Sequence, residues 1–239
     1  MTSTSIARRE LGYELVSGAS GFALALFMWG HMLLVGSILT GSRGFDWLAG
    51  SLEDWFIAQP TVALVLVLFL VHAVFASRKI PAKLQERRRL LRLARDLDAP
   101  GGQQVPAHEE SLLWIWQVRT GMVVLVLGSF HIMLLGLDVL TPLFGERTGI
   151  EAATTLERVR AGLWLPYALL LVCVEFHASV GLYRLAVKWG AGSRLSRSVA
   201  RRIERFLLWF FLGLGAVVLL VLAGILPAPL GFLTASTTP

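Results

Sequence analysis

The chain has 239 residues, 55% hydrophobic and 16% charged, with a formal net charge of +6 and a mean hydropathy of +0.67. A water-soluble domain of this length cannot hide so much apolar side chain, which leaves an all-α bundle in lipid, folded as one domain over 1–239. One cysteine, Cys173, inside an apolar run excludes a disulfide framework and an iron–sulfur cluster, which takes about four thiolates.

Residues 1–14 carry Arg8, Arg9, Glu10 and Glu14 ahead of an apolar run of spanning length, so no cleavable signal peptide is expected. Five spans are predicted, at roughly 15–41, 59–77, 112–140, 161–187 and 204–226. Each reaches the ~20 residues needed to cross a hydrocarbon core of ~30 Å. The loop 78–111 begins Arg78-Lys79-Ile80-Pro81 and contains Arg87-Arg88-Arg89-Leu90-Leu91-Arg92. It reads as a short amphipathic surface helix ending before Pro100-Gly101-Gly102, or equally as a solvated basic loop. No internal repeat, strand pattern or Gly-rich dinucleotide fingerprint is visible, so substrate chemistry is expected on another chain.

The loops predict the orientation. Residues 1–14, 78–111 and 184–205 hold 2, 8 and 7 Lys or Arg, against Arg43, Arg147, Arg158 and Arg160 on the opposite side and Arg119 within the third span. An excess of Lys and Arg marks the cytoplasmic side, so the N-terminus is expected in the cytoplasm and the C-terminus in the periplasm of a multi-pass bacterial cytoplasmic (inner) membrane protein. The positive charge reads as topology and anionic-lipid contact, not nucleic-acid binding. Tryptophans fall near both boundaries, Trp47, Trp55 and Trp164 at the outer and Trp114, Trp116, Trp189 and Trp209 at the inner, as an aromatic belt does.

His31, His72, His131 and His177 lie one in each of the first four spans, while His108 lies in a polar loop. One intramembrane histidine is as readily a hydrogen bond between helices as a ligand; four, one per span, favour ligation. Depth sorts them. His72 precedes Arg78 by 6 residues and His177 precedes Arg184 by 7, about 9 and 10.5 Å from the inner boundary at 1.5 Å per residue. His31 precedes Arg43 by 12 and His131 precedes Pro142 by 11, roughly 18 and 16 Å from the outer one. Two level pairs at two depths suit two stacked bis-histidine hemes, a six-coordinate electron-transfer arrangement. Gly128 and Gly181 offer room for a porphyrin beside the ligands, or simply helix packing. Lys79, Arg184 and Lys188 lie on the ligand faces toward inner water and suit heme propionates, with snorkelling as the plain alternative.

Glu175 is expensive in lipid unless paired, hydrated or protonated. It reads as a proton-relay group, or as a hydrogen bond to a neighbouring helix. Asp138 lies on the His131 face toward the outer surface. Asp46, Glu53 and Asp54 in the first outer loop are candidate quinol-site acids, each also readable as a solvated loop residue.

One histidine on each of the first four of five helices resembles the diheme cytochrome b anchor of bacterial succinate:quinone oxidoreductases, in particular menaquinol:fumarate reductases. The strings Phe27-Met28-Trp29-Gly30-His31-Met32, His72-Ala73 through Arg78-Lys79-Ile80-Pro81, and Glu175-Phe176-His177 are similar as well. The resemblance covers essentially the whole membrane part. It implies two b hemes, the proximal one on His72 and His177 and the distal one on His31 and His131. Glu175 would be the transmembrane proton-pathway glutamate and Lys188 a propionate ligand. Menaquinol would be oxidised near the outer side, and electrons passed to an iron–sulfur subunit and a flavoprotein subunit that hold the clusters, the FAD and the dicarboxylate site. It allows a dimer of complexes. The rivals are a diheme cytochrome b of a hydrogenase or formate dehydrogenase, which tends to place two ligands on one helix, and a non-redox transporter whose histidines relay protons.

Overall fold

The computed structural model describes residues 3–97, 109–140, 150–190 and 196–234. Eight α-helices occur there: α1 (Ser3–Gly36), α2 (Ser42–Asp54), α3 (Ala58–Ser77), α4 (Ile80–Leu97), α5 (Glu109–Leu140), α6 (Ala152–Arg158), α7 (Trp164–Lys188) and α8 (Arg197–Leu222). Five helical stretches are long and apolar enough to cross a membrane, running 7–40, 58–90, 111–137, 152–188 and 197–222. They coincide with the five predicted spans, and no strand occurs among the described residues. His108, Glu146, Arg147 and the Pro100-Gly101-Gly102 stop lie outside the described residues.

The basic loop is helical, as its alternation of Leu and Arg suggests. In α4 the exposed Leu90 and Leu93 share the helix with Arg87, Arg88, Arg89 and Arg92. A helix both apolar and strongly basic, at the end of a span, belongs at a lipid–water interface rather than in the hydrocarbon.

Packing is uneven, and the unevenness shapes the site. α1 lies along α3, α5 along α7, and α7 along α8, while α1 also touches α7 and α8. α3 has no fully buried residue, and its Val62, Leu64, Val67, Leu70 and Val74 are exposed. In lipid such surface costs little, since acyl chains are as apolar as leucine. The bundle is thus two helix pairs, α1–α3 and α5–α7, with α8 closing one side.

Among the described residues a dense core forms at the end away from the basic loops. Ile38, Phe45, Ala49, Ala152, Val159, Val218, Val221 and Leu222 are buried together there. The amphipathic α2 lies across this end, and the Asp46 carboxylate accepts the Ala152 backbone N–H at 2.7 Å. That bond satisfies a free donor at the start of α6. The chain beyond α8 folds back on the same layer: Leu230 N–H donates to the Leu39 carbonyl at 2.8 Å, and Arg43 donates to the Thr234 carbonyl at 2.9 Å.

The fourth span differs from expectation at its start. The helical path begins at Ala152 and bends through a wide turn over Val159–Leu163, where Gly162 has φ 104°. Only glycine takes that conformation without strain, and Pro166 follows in the first turn of α7, where no intrahelical N–H bond is needed. Gly162→Ala is expected to destabilise this bend by about 1–2 kcal/mol, seen as a drop of a few degrees in the Tm of the purified protein.

Candidate heme sites

The four intramembrane histidines meet in two pairs. His31 on α1 faces His131 on α5 with ring centroids 6.2 Å apart, and His72 on α3 faces His177 on α7 at the same separation of 6.2 Å. Two metal–nitrogen bonds of about 2 Å plus the half-width of each ring add to roughly 6 Å. The spacing therefore fits one metal ion between each pair of imidazoles. Each pair joins a helix of the α1–α3 unit to one of the α5–α7 unit, so a bound group would lie between the two units.

The His72–His177 pair is held in the tautomer that ligation requires. His72 Nδ1 donates to the Ser17 carbonyl at 3.1 Å, with the Ser20 hydroxyl 3.4 Å away. His177 Nδ1 donates to the Gln117 carbonyl at 2.9 Å. A neutral imidazole with its proton on Nδ1 presents a free lone pair at Nε2. Each of these rings also lies on a glycine: a Cβ on Gly21 would come 2.7 Å from His72 Cε1, and one on Gly121 would come 2.7 Å from His177 Cε1. That is closer than any real Cβ contact, so the absence of a side chain seats each ring.

The two seats use the same pattern. Ser17, Gly21 and His31 on α1 stand 100 positions before Gln117, Gly121 and His131 on α5. Each of α1 and α5 thus carries one of the histidines and, about 15 Å along its axis at 1.5 Å per residue, the glycine that seats a histidine from its partner helix, one turn beyond the accepting carbonyl. Sequence reading missed these four residues. The signal was there as a spacing, carbonyl acceptor to glycine to histidine, repeated once in the chain.

A Cβ on Gly128 would meet Phe69 at 3.5 Å, and one on Gly181 would meet the Gln117 side chain at 3.0 Å; no histidine ring is among these nearest contacts.

The His31–His131 pair is set differently. His131 Nδ1 is buried with no hydrogen-bond partner among the described residues, and Tyr167 packs edge-on at 5.4 Å. Phe27 stacks on His31 at 5.7 Å. Arg158, only 6% exposed, is close enough for its charge to act on His131.

Charged groups frame the stack. At the basic end Lys79 and Lys188 both pair with the Glu14 carboxylate of α1. Two ammonium groups from α3's end and α7 therefore converge on one anion beside the His72–His177 level. Arg184 lies one turn above Lys188 on α7. Between the two levels Glu175 is 1% exposed. Neither of its oxygens has a hydrogen-bond partner among the described residues, and the Trp29 indole N–H is near enough to act on its charge. At the far end Asp46 is engaged by α6, Glu53 is half-buried and Asp54 exposed. Asp138 lies in α5, but its side chain falls outside the described residues.

The chain is similar to proteins of one kind. Residues 99–223 match the model of the succinate dehydrogenase/fumarate reductase transmembrane subunits. Over 180 residues, 72% of this chain and 64% of the relative, it is 34% identical to the fumarate reductase cytochrome b subunit of Wolinella succinogenes. It thus spans just under two thirds of that protein. Over 210 residues, 84% of this chain and 76% of the relative, it is 30% identical to the fumarate reductase cytochrome b subunit of Helicobacter pylori strain J99. A succinate dehydrogenase hydrophobic membrane anchor subunit of Archaeoglobus fulgidus is 33% identical over 107 residues, 44% of this chain and 86% of the relative.

The seat geometry can be tested at single atoms. Gly21→Ala and Gly121→Ala are expected to displace one imidazole and to remove or spectrally shift one b heme. Gly128→Ala, whose Cβ would make only ordinary contacts, should leave the spectrum unchanged. Reduced-minus-oxidised spectra of the three variants check this.

Proposed function

The chain belongs to the family of succinate dehydrogenase/fumarate reductase transmembrane subunits, and we propose that it anchors such a complex in a bacterial inner membrane, holds two b hemes, and takes electrons from menaquinol for an iron–sulfur and a flavoprotein partner. The observation that carries this reading is the pair of matched histidine couples, both at 6.2 Å and two levels apart. On this reading the basic loops face the cytoplasm and the partners, which carry the FAD, the clusters and the dicarboxylate site.

Hemes held this way supply one-electron redox centres at two depths. The residues of the chain set the conditions for them. His72 and His177 offer Nε2 to the inner iron with Nδ1 fixed by carbonyls; His31 and His131 offer theirs to the outer one. Lys79 and Lys188, which converge on the Glu14 carboxylate, and Arg184 would hold the propionates of the inner heme. Buried Arg158 supplies positive charge beside the outer pair. α8 and the core at the far end exclude water from that flank.

Proton handling falls to carboxylates. Of the three outer acids, Asp46 is committed to α6 and Asp54 is exposed. Glu53 Oε, half-buried at the end of α2, is therefore the acceptor for a quinol proton. Glu175 holds a proton on its carboxyl between the two levels, beside the Trp29 indole. A charge there without partner or proton would cost several kcal/mol.

The test is a dithionite-reduced minus oxidised spectrum with a pyridine hemochrome assay on the purified complex. Two b hemes per chain are expected, and one fewer in His72→Ala or His177→Ala. A heme-free wild type would overturn the reading. Glu53→Gln is expected to lower menaquinol-driven fumarate reduction at least tenfold while sparing fumarate reduction driven by a viologen dye. Glu175→Gln should likewise slow quinol-driven turnover with both hemes in place.

A further inference from the structure

Arg119 is the only Lys, Arg, Asp or Glu in the apolar span 111–137. It stands 8 residues past Ser111, about 12 Å into the span at 1.5 Å per residue, and its side chain is exposed. α5 packs on α7, and Gln117 and Gly121, which hold His177, mark that inner side. Arg119 is two positions from each of them, about 200° round the helix, so it faces outward. Leu112, Trp116, Met122 and Val126 are exposed beside it, at steps of three and four residues that make one stripe. In a membrane that stripe meets acyl chains.

A charged side chain there is costly unless it reaches water or an anion. Arg78, Lys79, Lys188 and Arg201 at the basic end all pair with acids; Arg119 has no carboxylate within ion-pair distance among the described residues. Along α5 the nearest acids, Glu110 and Asp138, are 9 and 19 residues away, about 13 Å or more. The guanidinium lies over the Trp116 ring, 5.2 Å from its centroid. Trp116 is one turn nearer the basic end, the direction in which the side chains of α5 lean. The ring's π face attracts the charge, but it offers no lone pair to the five N–H groups of the fork.

These features select an occupant. A phosphodiester brings two anionic oxygens to the edge of the hydrocarbon, and the planar fork of arginine takes such a group bidentately. A second helix bearing a carboxylate would have to come close, and helices in lipid do so over small residues. Around Arg119 the stripe carries Leu112, Trp116 and Met122; its exposed small residues, Ser129 and Gly136, lie in the other half of the span. We infer that Arg119 and Trp116 form a binding site for the phosphate of an anionic phospholipid of the phosphatidylglycerol type, in the leaflet at the basic end. The guanidinium takes the phosphate oxygens, and the acyl chains run along Met122 and Val126. A zwitterionic lipid fits less well, because its own ammonium repels the guanidinium. Arg119 stands opposite Gln117 and Gly121, so a headgroup held there fixes the rotation of α5 that presents its seat to His177. The site requires only that the spans lie in a bilayer, whatever the histidine pairs bind.

A photoactivatable phosphatidylglycerol tests it. The purified complex in phosphatidylethanolamine nanodiscs holding a trace of the probe is irradiated, and labelled peptides are mapped. Label is expected on α5 between Leu112 and Val126, and about tenfold less of it in Arg119→Leu, the worth of one hydrogen-bonded contact to a charged group. Leucine suits a lipid-facing position, so this variant should keep the wild-type Tm. Arg119→Lys, which keeps the charge without the fork, should label at an intermediate level. Excess phosphatidylglycerol should displace the label; excess phosphatidylethanolamine or inorganic phosphate should not. Equal label in wild type and Arg119→Leu, or displacement by phosphatidylethanolamine, would overturn the site. Displacement by inorganic phosphate would overturn its assignment to a lipid. Carbodiimide coupling of the Arg119→Lys protein to another chain at this position, with no lipid label on α5, would make the stripe a protein contact and overturn it as well.

Discussion

Everything at the His72–His177 pair depends on one hydrogen bond made twice: an imidazole Nδ1–H given to a helix carbonyl on the neighbouring chain segment. A carbonyl already serving its own helix has a second lone pair to offer. The bond removes the cost of burying an N–H, selects the tautomer and aims Nε2 at a common point. In lipid there is no water to do any of these things. The bond needs close approach of ring and backbone, which is why a glycine follows each accepting residue one turn later, at Gly21 and Gly121.

This requirement organises the bundle. α1 must lie against α3, and α5 against α7, for the carbonyls to reach the rings, and those are among the tightest helix contacts in the molecule. The histidine pairs then cross from one unit to the other. On the proposed reading a planar group held there would join the units and would tie folding to cofactor loading, as metal sites generally do.

The two ends solve different problems. At the basic end charges are exposed and paired across helices, with Glu14 drawing Lys79 and Lys188 together and Arg78 stacked on Tyr13 at 3.7 Å. At the other end a small core seals the bundle, and Asp46 is spent on holding α6. The acids at this end, alike in sequence, thereby become unlike: Asp46 is bonded to α6, Glu53 is half-buried, and Asp54 is exposed. Glu175 sits between the ends and is 1% exposed.

Sequence alone determined the five spans, since spanning length and apolar composition are local properties. It determined that His72 is level with His177 and His31 with His131, because a helix in a bilayer converts residue number into depth. It showed α4 as an amphipathic candidate and gave the identity of the buried acid. Tertiary structure decided what depth cannot: which faces meet. That choice set Gly21 and Gly121 against the His72 and His177 rings, and Gly128 and Gly181 against Phe69 and Gln117, though all four are equally small. It gave Lys79 and Lys188 a common partner in Glu14, and it bent the fourth span at Gly162. Rotation about a helix axis is set by contacts between distant segments, and within lipid the apolar pattern that reveals such a rotation in soluble proteins is nearly uniform all round.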